Sequence, residues 1–290
     1  MSRVSGLPLY DGTAVRSAAP VIRRYSNSFR LATSLFPRRA RAPIGSIYAL
    51  VRIADEIVDG TAAEAGLDRS GQAERLDEFE AETMRAVRSG FSTNLVVHAF
   101  AQVARATRMP SEPITAFFAS MRRDLDRVDF DESEYRSYVH GSAEAVGLMC
   151  LRVFLHGADV SAQRLAALES GASHLGAAFQ KVNFLRDLGD DSARLDRAYF
   201  PGVAPGALSE SARDAIIADI RADLAAARAA IPGLPRDCRR AVRVATDIFA
   251  DLLRRIERLP VDRLAEVRVS VPTLVKLAIA LRWTIVPGRA

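Results

Sequence analysis

The spacing of apolar residues constrains the fold of this chain more than any other feature. They recur at intervals of three and four along nearly all of the 290 residues, and period-two runs of Val, Ile and Thr are almost absent. Pro and Gly fall between the periodic segments, where they interrupt helices. The sequence therefore predicts an all-α fold with helices over residues 18–35, 43–59, 71–89, 93–107, 113–123, 132–156, 161–188, 209–230, 236–258 and 271–283.

The chain shows no repeat and no linker that would divide it. We expect one domain over residues 1–290, with residues 1–17 as a loosely ordered N-terminus. Residues 60–70 and 189–207 are the longest segments without helical periodicity, and the second is placed to form a flap over a site. The N-terminus lacks the apolar core of a signal peptide, and a proline and two basic residues interrupt the apolar run 269–287. We expect a cytoplasmic protein with at most peripheral contact at the inner membrane surface.

Composition excludes several functional classes. With 2 Cys in the chain, a disulfide framework is not expected. The net charge is +5, but aromatic residues make up only 7% and no basic run is interleaved with them, so no nucleic-acid partner is expected. The positive charge is consistent with genomic composition bias or with attraction to anionic lipids and substrates. No protein partner is evident.

Two aspartates, Asp55 and Asp59, lie four residues apart in VRIADEIVDG (51–60), which is otherwise mostly apolar. Because each helical residue turns the side chain by about 100°, four polar residues share a stripe of about 60°. These residues are Tyr48, Arg52, Asp55 and Asp59. Apolar residues cover most of the remaining circumference, and Glu56 stands outside the stripe. A narrow polar stripe on an apolar helix is the reverse of a surface helix and predicts that the stripe points into a cavity.

The segment FQKVNFLRDLGDD (179–191) repeats this arrangement. Its polar stripe, about 80° wide, consists of Gln180, Asn183, Asp187 and Asp191. Unpaired buried carboxylates are costly, and like charges four residues apart repel, but divalent cations between the two stripes relieve both costs. Mg²⁺ takes one or two protein carboxylates and completes its shell with water and phosphate oxygens. Because Arg52 and Arg186 can bind phosphate oxygens directly, we interpret the two stripes as a metal–diphosphate site.

A single D-x-x-x-D pattern is more often a solvated helix face. The chain contains such a case in DIRAD (219–223), where charged residues surround Asp219 and Asp223. We therefore interpret this pair as solvated and not as a metal site.

The two acidic motifs and their surroundings resemble the squalene/phytoene synthases, which join two prenyl diphosphates head to head. The resemblance extends from about residue 20 to residue 282 and is closest to actinobacterial phytoene synthases. It includes YSNSFRLATSLFP (25–37), IYALVRIADEIVD (47–59), YVHGSAEAVGLM (138–149), LGAAFQKVNFLRDLGDDSARLDRAYFP (175–201) and RVSVPTLVKLAIAL (268–281). Glu56 stands where Asp is usual, Tyr25 where some members have His, and Phe249 where some have Tyr.

The resemblance implies the class I isoprenoid-synthase fold, a helical bundle around a central cavity with the two acidic motifs facing each other. It also implies Mg²⁺, with Mn²⁺ as the alternative ion, held by Asp55, Asp59, Asn183, Asp187 and Asp191. The implied substrate contacts are Ser26, Ser28, Arg52, Gln180, Arg186, Arg268 and Lys276. The implied catalytic residues are Tyr48, Arg52, Tyr138 and Arg186, with the tyrosines steadying cationic intermediates.

The implied activity is that of a prenyltransferase of carotenoid biosynthesis. Two geranylgeranyl diphosphates would condense to phytoene through prephytoene diphosphate. No NADPH is expected, because a phytoene synthase releases a proton where a squalene synthase adds a hydride. Two alternatives stay open: a dehydrosqualene or squalene synthase that uses farnesyl diphosphate, and a non-catalytic lipid-binding or assembly factor. In each case prenyl diphosphates or other lipids are the expected partners.

Some apolar and small residues have two interpretations. A cation-forming reaction needs dry walls, and the residues that can line such a channel or form ordinary core are Phe29, Phe117, Phe118, Ala143, Gly147 and Leu148. The small residues between Gly141 and Gly147 can likewise accommodate a prenyl chain or permit close helix packing. We expect the segment 272–283 to pack in the core with Trp283 near the surface, and membrane contact is its alternative.

Overall fold

The computed structural model describes residues 5–25, 27–126, 130–194, 200–203, 207–264 and 266–285, without the side chains of residues 27–30, 189–194 and 285. These residues form fourteen α-helices and no strand, which confirms the all-α prediction. The helices are α1 (Leu7–Tyr25), α2 (Asn27–Ser34), α3 (Arg38–Val58), α4 (Thr61–Glu64), α5 (Arg69–Ser89), α6 (Leu95–Ala106), α7 (Glu112–Arg123), α8 (Glu132–Val139), α9 (Ala145–Leu155), α10 (Ala162–Arg194), α11 (Glu210–Ala230), α12 (Arg236–Glu257), α13 (Val261–Leu264) and α14 (Thr273–Ile285).

Local sequence explains several helix ends. Asp131 begins α8 with a capping box, in which its side chain and that of Glu134 each accept a backbone N–H. Asn94 caps α6 by accepting two backbone N–H groups. Gly90 ends α5 in the left-handed conformation, with φ at 83°, which glycine adopts without steric cost.

The prediction of a loosely ordered N-terminus over residues 1–17 is wrong for the described part. Residues 7–17 belong to α1, and Ala14 is fully buried. Asp11 of α1 lies 2.7 Å from the Nε2 atom of His98, which is fully buried on α6. The buried face of α1 is formed largely by alanine, and this gives a weak periodic signal in the sequence.

Two other helices extend beyond their predicted ends. Helix α3 begins at Arg38, five residues before its predicted start at Pro43. Helix α10 continues to Arg194, so the first residues of the segment predicted as an irregular flap, 189–207, are helical. Residues 195–199 and 204–206 of that segment lie outside the described residues.

Two clusters of buried apolar side chains form the interior. The first joins α3, α5, α6, α7 and α9, and its largest members include Ile44, Leu50, Phe100, Phe117 and Phe118. The second joins α8, α10, α11 and α12, and it includes Tyr138, Leu185, Ile220 and Ile248. Leu35 and Leu175 pack against both clusters. The first acidic motif therefore lies on a helix of the first cluster, α3, and the second lies on a helix of the second cluster, α10.

A π-helical turn, His140–Glu144, joins α8 to α9 and brings neighbouring helices close together. A Cβ atom at Gly141 would lie 2.3 Å from the carbonyl oxygen of Ala116 on α7. A Cβ atom at Gly176 on α10 would lie 2.5 Å from the carbonyl oxygen of Ala143 in the turn. Of the two roles left open for the small residues, Gly141 thus serves close helix packing. A π-helical turn of this kind often occurs beside a functional site.

Helix α14 is only partly in the core, so the expectation for the segment 272–283 holds for one face. Val275, Ile279 and Trp283 pack against the second cluster. Leu274, Leu277 and Leu281 are exposed on the other side of the helix. Both faces of this helix are apolar, so the sequence pattern did not indicate which of them is buried.

The interpretation of Asp219 and Asp223 as a solvated pair is wrong for Asp223. This residue is buried on α11, accepts a hydrogen bond at 2.8 Å from Lys181 of α10, and lies 2.8 Å from His174. Asp219 is exposed and also accepts a hydrogen bond from Lys181. The pair therefore joins α11 to α10, and the lysine offsets the buried negative charge.

The close approach at Gly141 leads to a stability prediction. Replacing Gly141 with alanine should lower the free energy of unfolding by about 1–3 kcal/mol, because the new methyl group overlaps a backbone carbonyl that cannot move aside. Urea denaturation measures this change. Gly12→Ala in α1 is the matched control, because its Cβ would come no closer than 3.8 Å to any neighbour. Equal stability of the two variants would contradict the close packing.

Candidate functional site

The first acidic motif lies at the C-terminal end of α3. Asp55 is half-buried in the last turn, and Asp59 is an exposed residue that follows the helix directly. The backbone N–H of Asp59 donates to the carbonyl oxygen of Asp55 at 2.8 Å, and the two carboxyl groups also share a hydrogen bond. The end of the helix therefore holds both carboxyl groups close together.

The environment of Asp55 disfavours two negative charges. Burial is the largest cause, and together with the charge of Asp59 it raises the pKa of Asp55 to about 8, although Arg52 acts in the opposite direction. The charge of Asp124 contributes to the same rise. A divalent cation between these carboxylates would remove the repulsion between their charges, as the sequence analysis predicted.

Arg52 makes most of the contacts in this motif. Its Nη1 atom donates to Asp55 at 2.6 Å, and its Nη2 atom donates to Glu56. The ring of Tyr25 lies 4.6 Å from its Cζ atom, and the Tyr48 phenol interacts with it electrostatically. Its Nε atom is buried and has no hydrogen-bond partner within the described part of the chain. The sequence analysis did not predict this contact between Arg52 and Glu56, although a spacing of four residues on a helix is a usable signal for an ion pair.

The second acidic motif lies in the C-terminal part of α10. Asp187 is mostly buried and accepts hydrogen bonds at 2.9 Å from the Nε atoms of Arg186 and Arg268. One turn earlier, the Oδ1 atom of Asn183 is buried and has no hydrogen-bond partner among the described residues. Because a buried acceptor without a partner is unfavourable, this oxygen is available to a cation or a ligand.

Asp124 and Tyr138 connect the two motifs. The Tyr138 hydroxyl donates to Asp124 at 2.6 Å, and both side chains are buried. The negative charge of Asp124 acts on Asp55 of α3, and the Tyr138 ring stacks on Phe184 of α10 with centroids 6.0 Å apart. The interactions, electrostatic from Asp55 to Asp124 and direct from Asp124 through Tyr138 to Phe184, therefore lead from the first motif to the residue that follows Asn183. The sequence analysis did not identify Asp124, because in the sequence MRRDLD it is one of several charged residues at the end of a helix.

The remaining predicted site residues lie on α2, α10 and α14 or outside the described residues. Gln180 and Lys276 are half-buried on α10 and α14, and burial lowers the pKa of Lys276. Ser26 lies outside the described residues. Ser28 and Asp191 lie in α2 and α10, but their side chains are outside the description.

The oxygen donors of the site fit a hard divalent cation. No three acidic, His or Cys side chains gather into a metal-binding group among the side chains that the structure describes. Mg²⁺ does not require such a group, because it usually binds one or two protein carboxylates and takes its other ligands from water and phosphate. The unpartnered oxygen of Asn183 and the mutual repulsion of Asp55 and Asp59 are the two features that such an ion would satisfy.

Comparison with known proteins identifies related sequences. The chain matches the sequence model of the squalene/phytoene synthase family over residues 22–275. A phytoene synthase of Arthrospira platensis is 31% identical over 213 residues, which cover 69% of this chain and 67% of that protein. A phytoene synthase of Rhodobacter capsulatus is 30% identical over 268 residues, 84% of this chain and 73% of that protein. The chloroplastic phytoene synthase 3 of Zea mays is 32% identical over 211 residues, but the chain spans only 46% of its length.

Solved structures show the same architecture. A dehydrosqualene synthase in complex with a ligand has a TM-score of 0.76 at 20% identity, covering 94% of this chain and 96% of that one. The squalene synthase HpnC of Alicyclobacillus acidocaldarius has a TM-score of 0.72 at 21% identity, covering 87% and 96%. This likeness confirms the isoprenoid-synthase helical fold that the resemblance implied. Because the family's sequence model covers most of the chain and relatives at 30% identity or more align along it, the chain belongs to the squalene/phytoene synthase family.

Proposed function

We propose that this protein is a prenyltransferase that condenses two geranylgeranyl diphosphates head to head into phytoene, through prephytoene diphosphate, in carotenoid biosynthesis. The observation that carries the proposal is the connection of two acidic motifs, on α3 and α10, through Asp124, Tyr138 and Phe184. Relatives named phytoene synthases support the choice of product.

The metal ion of this proposal is Mg²⁺, with Mn²⁺ as the alternative. The residues that would hold it are Asp55, Asp59, Asn183, Asp187 and Asp191. When bound, such an ion stabilises the charge that develops on a leaving diphosphate. Its binding would also compensate the carboxylate repulsion that raises the pKa of Asp55.

Basic and hydroxyl residues would orient the diphosphates. Arg52, Arg186 and Arg268 now pair with Asp55 and Asp187, and their guanidinium groups can equally bind phosphate oxygens. The unpartnered Nε atom of Arg52 leaves one donor available for this purpose. The further substrate contacts that we propose are Ser26, Ser28, Gln180 and Lys276.

The reaction begins when the carbon–oxygen bond of one diphosphate breaks and leaves an allylic cation. The cation bonds to the double bond of the second prenyl chain, and loss of a proton closes a cyclopropyl diphosphate. This intermediate loses its own diphosphate, rearranges and releases a second proton to give phytoene. Tyr48 and Tyr138 would steady the cations through their hydroxyl groups, and the hydrogen bond to Asp124 fixes the Tyr138 hydroxyl. Water must stay excluded, since it would trap the cations as alcohols.

The alternative with farnesyl diphosphate keeps the same fold and site. The structural likeness to a dehydrosqualene synthase and a squalene synthase is the observation that favours it. Chain length depends on the depth of the prenyl channel, whereas the acidic motifs bind only the diphosphates. A non-catalytic role is less consistent with the chain, because such a protein has no need to keep four aspartates and Asn183 at this spacing.

The location that accompanies this function is the cytoplasm, with peripheral contact at the inner membrane surface. Both the proposed substrates and the product carry long apolar chains. Among the described residues, no helix combines the length and the apolar character needed to cross a bilayer.

The identity of the product tests the proposed function directly. Purified protein with Mg²⁺ should convert geranylgeranyl diphosphate to phytoene, and added NADPH should not change the product, because the last step releases a proton. Chromatography of the products from geranylgeranyl and farnesyl diphosphate, with and without NADPH, makes the comparison. A product from farnesyl diphosphate alone would favour the shorter substrate, and no product from either would favour the non-catalytic role.

The two acidic motifs should be required for turnover. Asp55→Asn and Asp187→Asn should each lower turnover about a hundredfold or more. Each change removes a carboxylate that would bind the metal ion at the leaving diphosphate. Asp219→Asn is the matched control, since Asp219 belongs to the other D-x-x-x-D pattern and lies on the exposed face of α11. Turnover at the wild-type rate in either motif variant, measured with Mg²⁺, would rule out the assignment.

Asn183 should contribute to binding even without a reaction. Inorganic pyrophosphate with Mg²⁺ should raise the melting temperature of the protein, since a ligand at about a hundred times its Kd stabilises the folded state by about 2.7 kcal/mol. Asn183→Leu should reduce this rise, because its buried oxygen is lost. Pyrophosphate with a chelator is the control for binding without metal. An unchanged rise in the variant would remove Asn183 from the metal-binding set.

A further inference from the structure

The turn between α3 and α4 brings Thr61 back to the first acidic motif. Gly60 has a φ of 116°, in the left-handed region that side chains rarely adopt, and Thr61 begins α4 at the next residue. The Thr61 hydroxyl donates to the Oε2 atom of Glu56, five residues earlier. Gln72 of α5 is buried and donates to the carbonyl oxygen of Ile57 at 2.8 Å. The end of α3 is therefore fixed from both α4 and α5.

Glu56 is bound differently from the two aspartates of the motif. Its Oε1 atom accepts a hydrogen bond from the Nη2 atom of Arg52, its Oε2 atom accepts one from Thr61, and its side chain is 17% exposed. Asp55 and Asp59 instead share a hydrogen bond with each other. Because neighbouring residues on a helix point about 100° apart, Glu56 lies beside this carboxylate pair and outside it.

Arg52 is held at its edge and at its face. Its edge donates to Asp55 at 2.6 Å and to Glu56, and its face lies on the ring of Tyr25 with the Cζ atom 4.6 Å from the centroid. A guanidinium group has five N–H donors in a rigid plane. The buried Nε atom has no partner in the described part of the chain. A plane held in this way keeps the direction of its remaining donors.

The two carboxylates that hold Arg52 would respond differently to a ligand. A metal ion bound by Asp55 would compete with Arg52 for that carboxylate. Glu56 is tied to Thr61 and would keep its contact. The arginine would then retain one carboxylate and turn its other donors to phosphate oxygens. Without Glu56 the guanidinium would have to be ordered during binding, and this ordering lowers affinity.

We propose that Glu56, fixed by Thr61, is a positioning residue that holds the Arg52 guanidinium toward the diphosphate of the substrate. The inference rests on the proposed function, in which Arg52 binds a diphosphate. Glu is longer by one carbon–carbon bond, about 1.5 Å, than the Asp that is usual at this position. The longer side chain suits a carboxylate that reaches Arg52 one turn back and Thr61 five residues ahead.

A third metal-binding carboxylate is the alternative role for Glu56. Among the side chains that the structure describes, no three acidic, His or Cys groups gather at one point, so Glu56 does not join Asp55 and Asp59. Both of its carboxylate oxygens also accept hydrogen bonds within the corner. These two observations favour positioning over metal binding.

Binding of inorganic pyrophosphate, measured by calorimetric titration in the presence of Mg²⁺, tests the role of Glu56 in the full chain. Glu56→Gln should raise the Kd of pyrophosphate and the KM of geranylgeranyl diphosphate about tenfold, because the charged partner of Arg52 is lost. It should change kcat by about twofold or less, since the lost contact serves binding. Thr61→Val removes one hydroxyl at an exposed position and should raise Kd and KM about threefold.

A double-mutant cycle with Arg52→Lys shows whether Glu56 acts through the arginine. Arg52→Lys alone should raise the Kd of pyrophosphate, and adding Glu56→Gln should raise it further by about twofold or less. Glu64→Gln is the matched control, because Glu64 is an exposed glutamate of α4, and it should keep the wild-type Kd and KM. The proposal fails if the two effects multiply, since Glu56 would then act without the arginine. It also fails if Glu56→Gln or Thr61→Val binds pyrophosphate like the wild type.

The two measurements separate this proposal from the proposed function. If the wild type binds pyrophosphate with Mg²⁺ but forms no phytoene, the proposed product is wrong, and the Kd values of the variants still decide the role of Glu56. If the wild type binds no pyrophosphate with Mg²⁺, both proposals are wrong.

Discussion

The cost of enclosing carboxylates in a helical protein determines the arrangement of the site. Three acidic groups there have partners that lower this cost: Arg52 for Asp55, Arg186 and Arg268 for Asp187, and the Tyr138 hydroxyl for Asp124. Arginines that hold carboxylates can also hold phosphates. In the proposed reaction, an arriving diphosphate would take over these arginines and leave the carboxylates to the metal ion. The arginine contacts that stabilise these carboxylates would thus also prepare the site for a diphosphate.

The sequence predicted the parts of the structure that depend on helical geometry alone. The stripes of α3 and α10 follow from the turn of 100° per residue and needed no knowledge of neighbouring helices. Glu56 and Asp124 were missed because their roles arise from contacts with Arg52 and Tyr138, which the pattern of a single helix does not contain. Phe249 illustrates the same limit: its ring stacks on Phe179 of α10 with centroids 3.8 Å apart, a contact between residues 70 positions apart in sequence.

The two terminal helices were predicted only in part, for opposite reasons. The buried face of α1 is rich in alanine, so its packing produced too little apolar periodicity to be recognised. Helix α14 has apolar residues on both faces, so periodicity did not show which face is buried. Burial is a property of two surfaces in contact, and the pattern along one segment describes only one of them. When a helix carries apolar residues that no other part of the chain covers, a partner outside the chain should therefore be sought.

Helix α14 faces two different environments. Its inner side carries Lys276, and Arg268 in the segment before it binds Asp187, so this part of the chain is constrained by the charge of the site. Its outer side carries leucines that are largely exposed. In an aqueous monomer such leucines raise the risk of aggregation, and a charged surface would be safer.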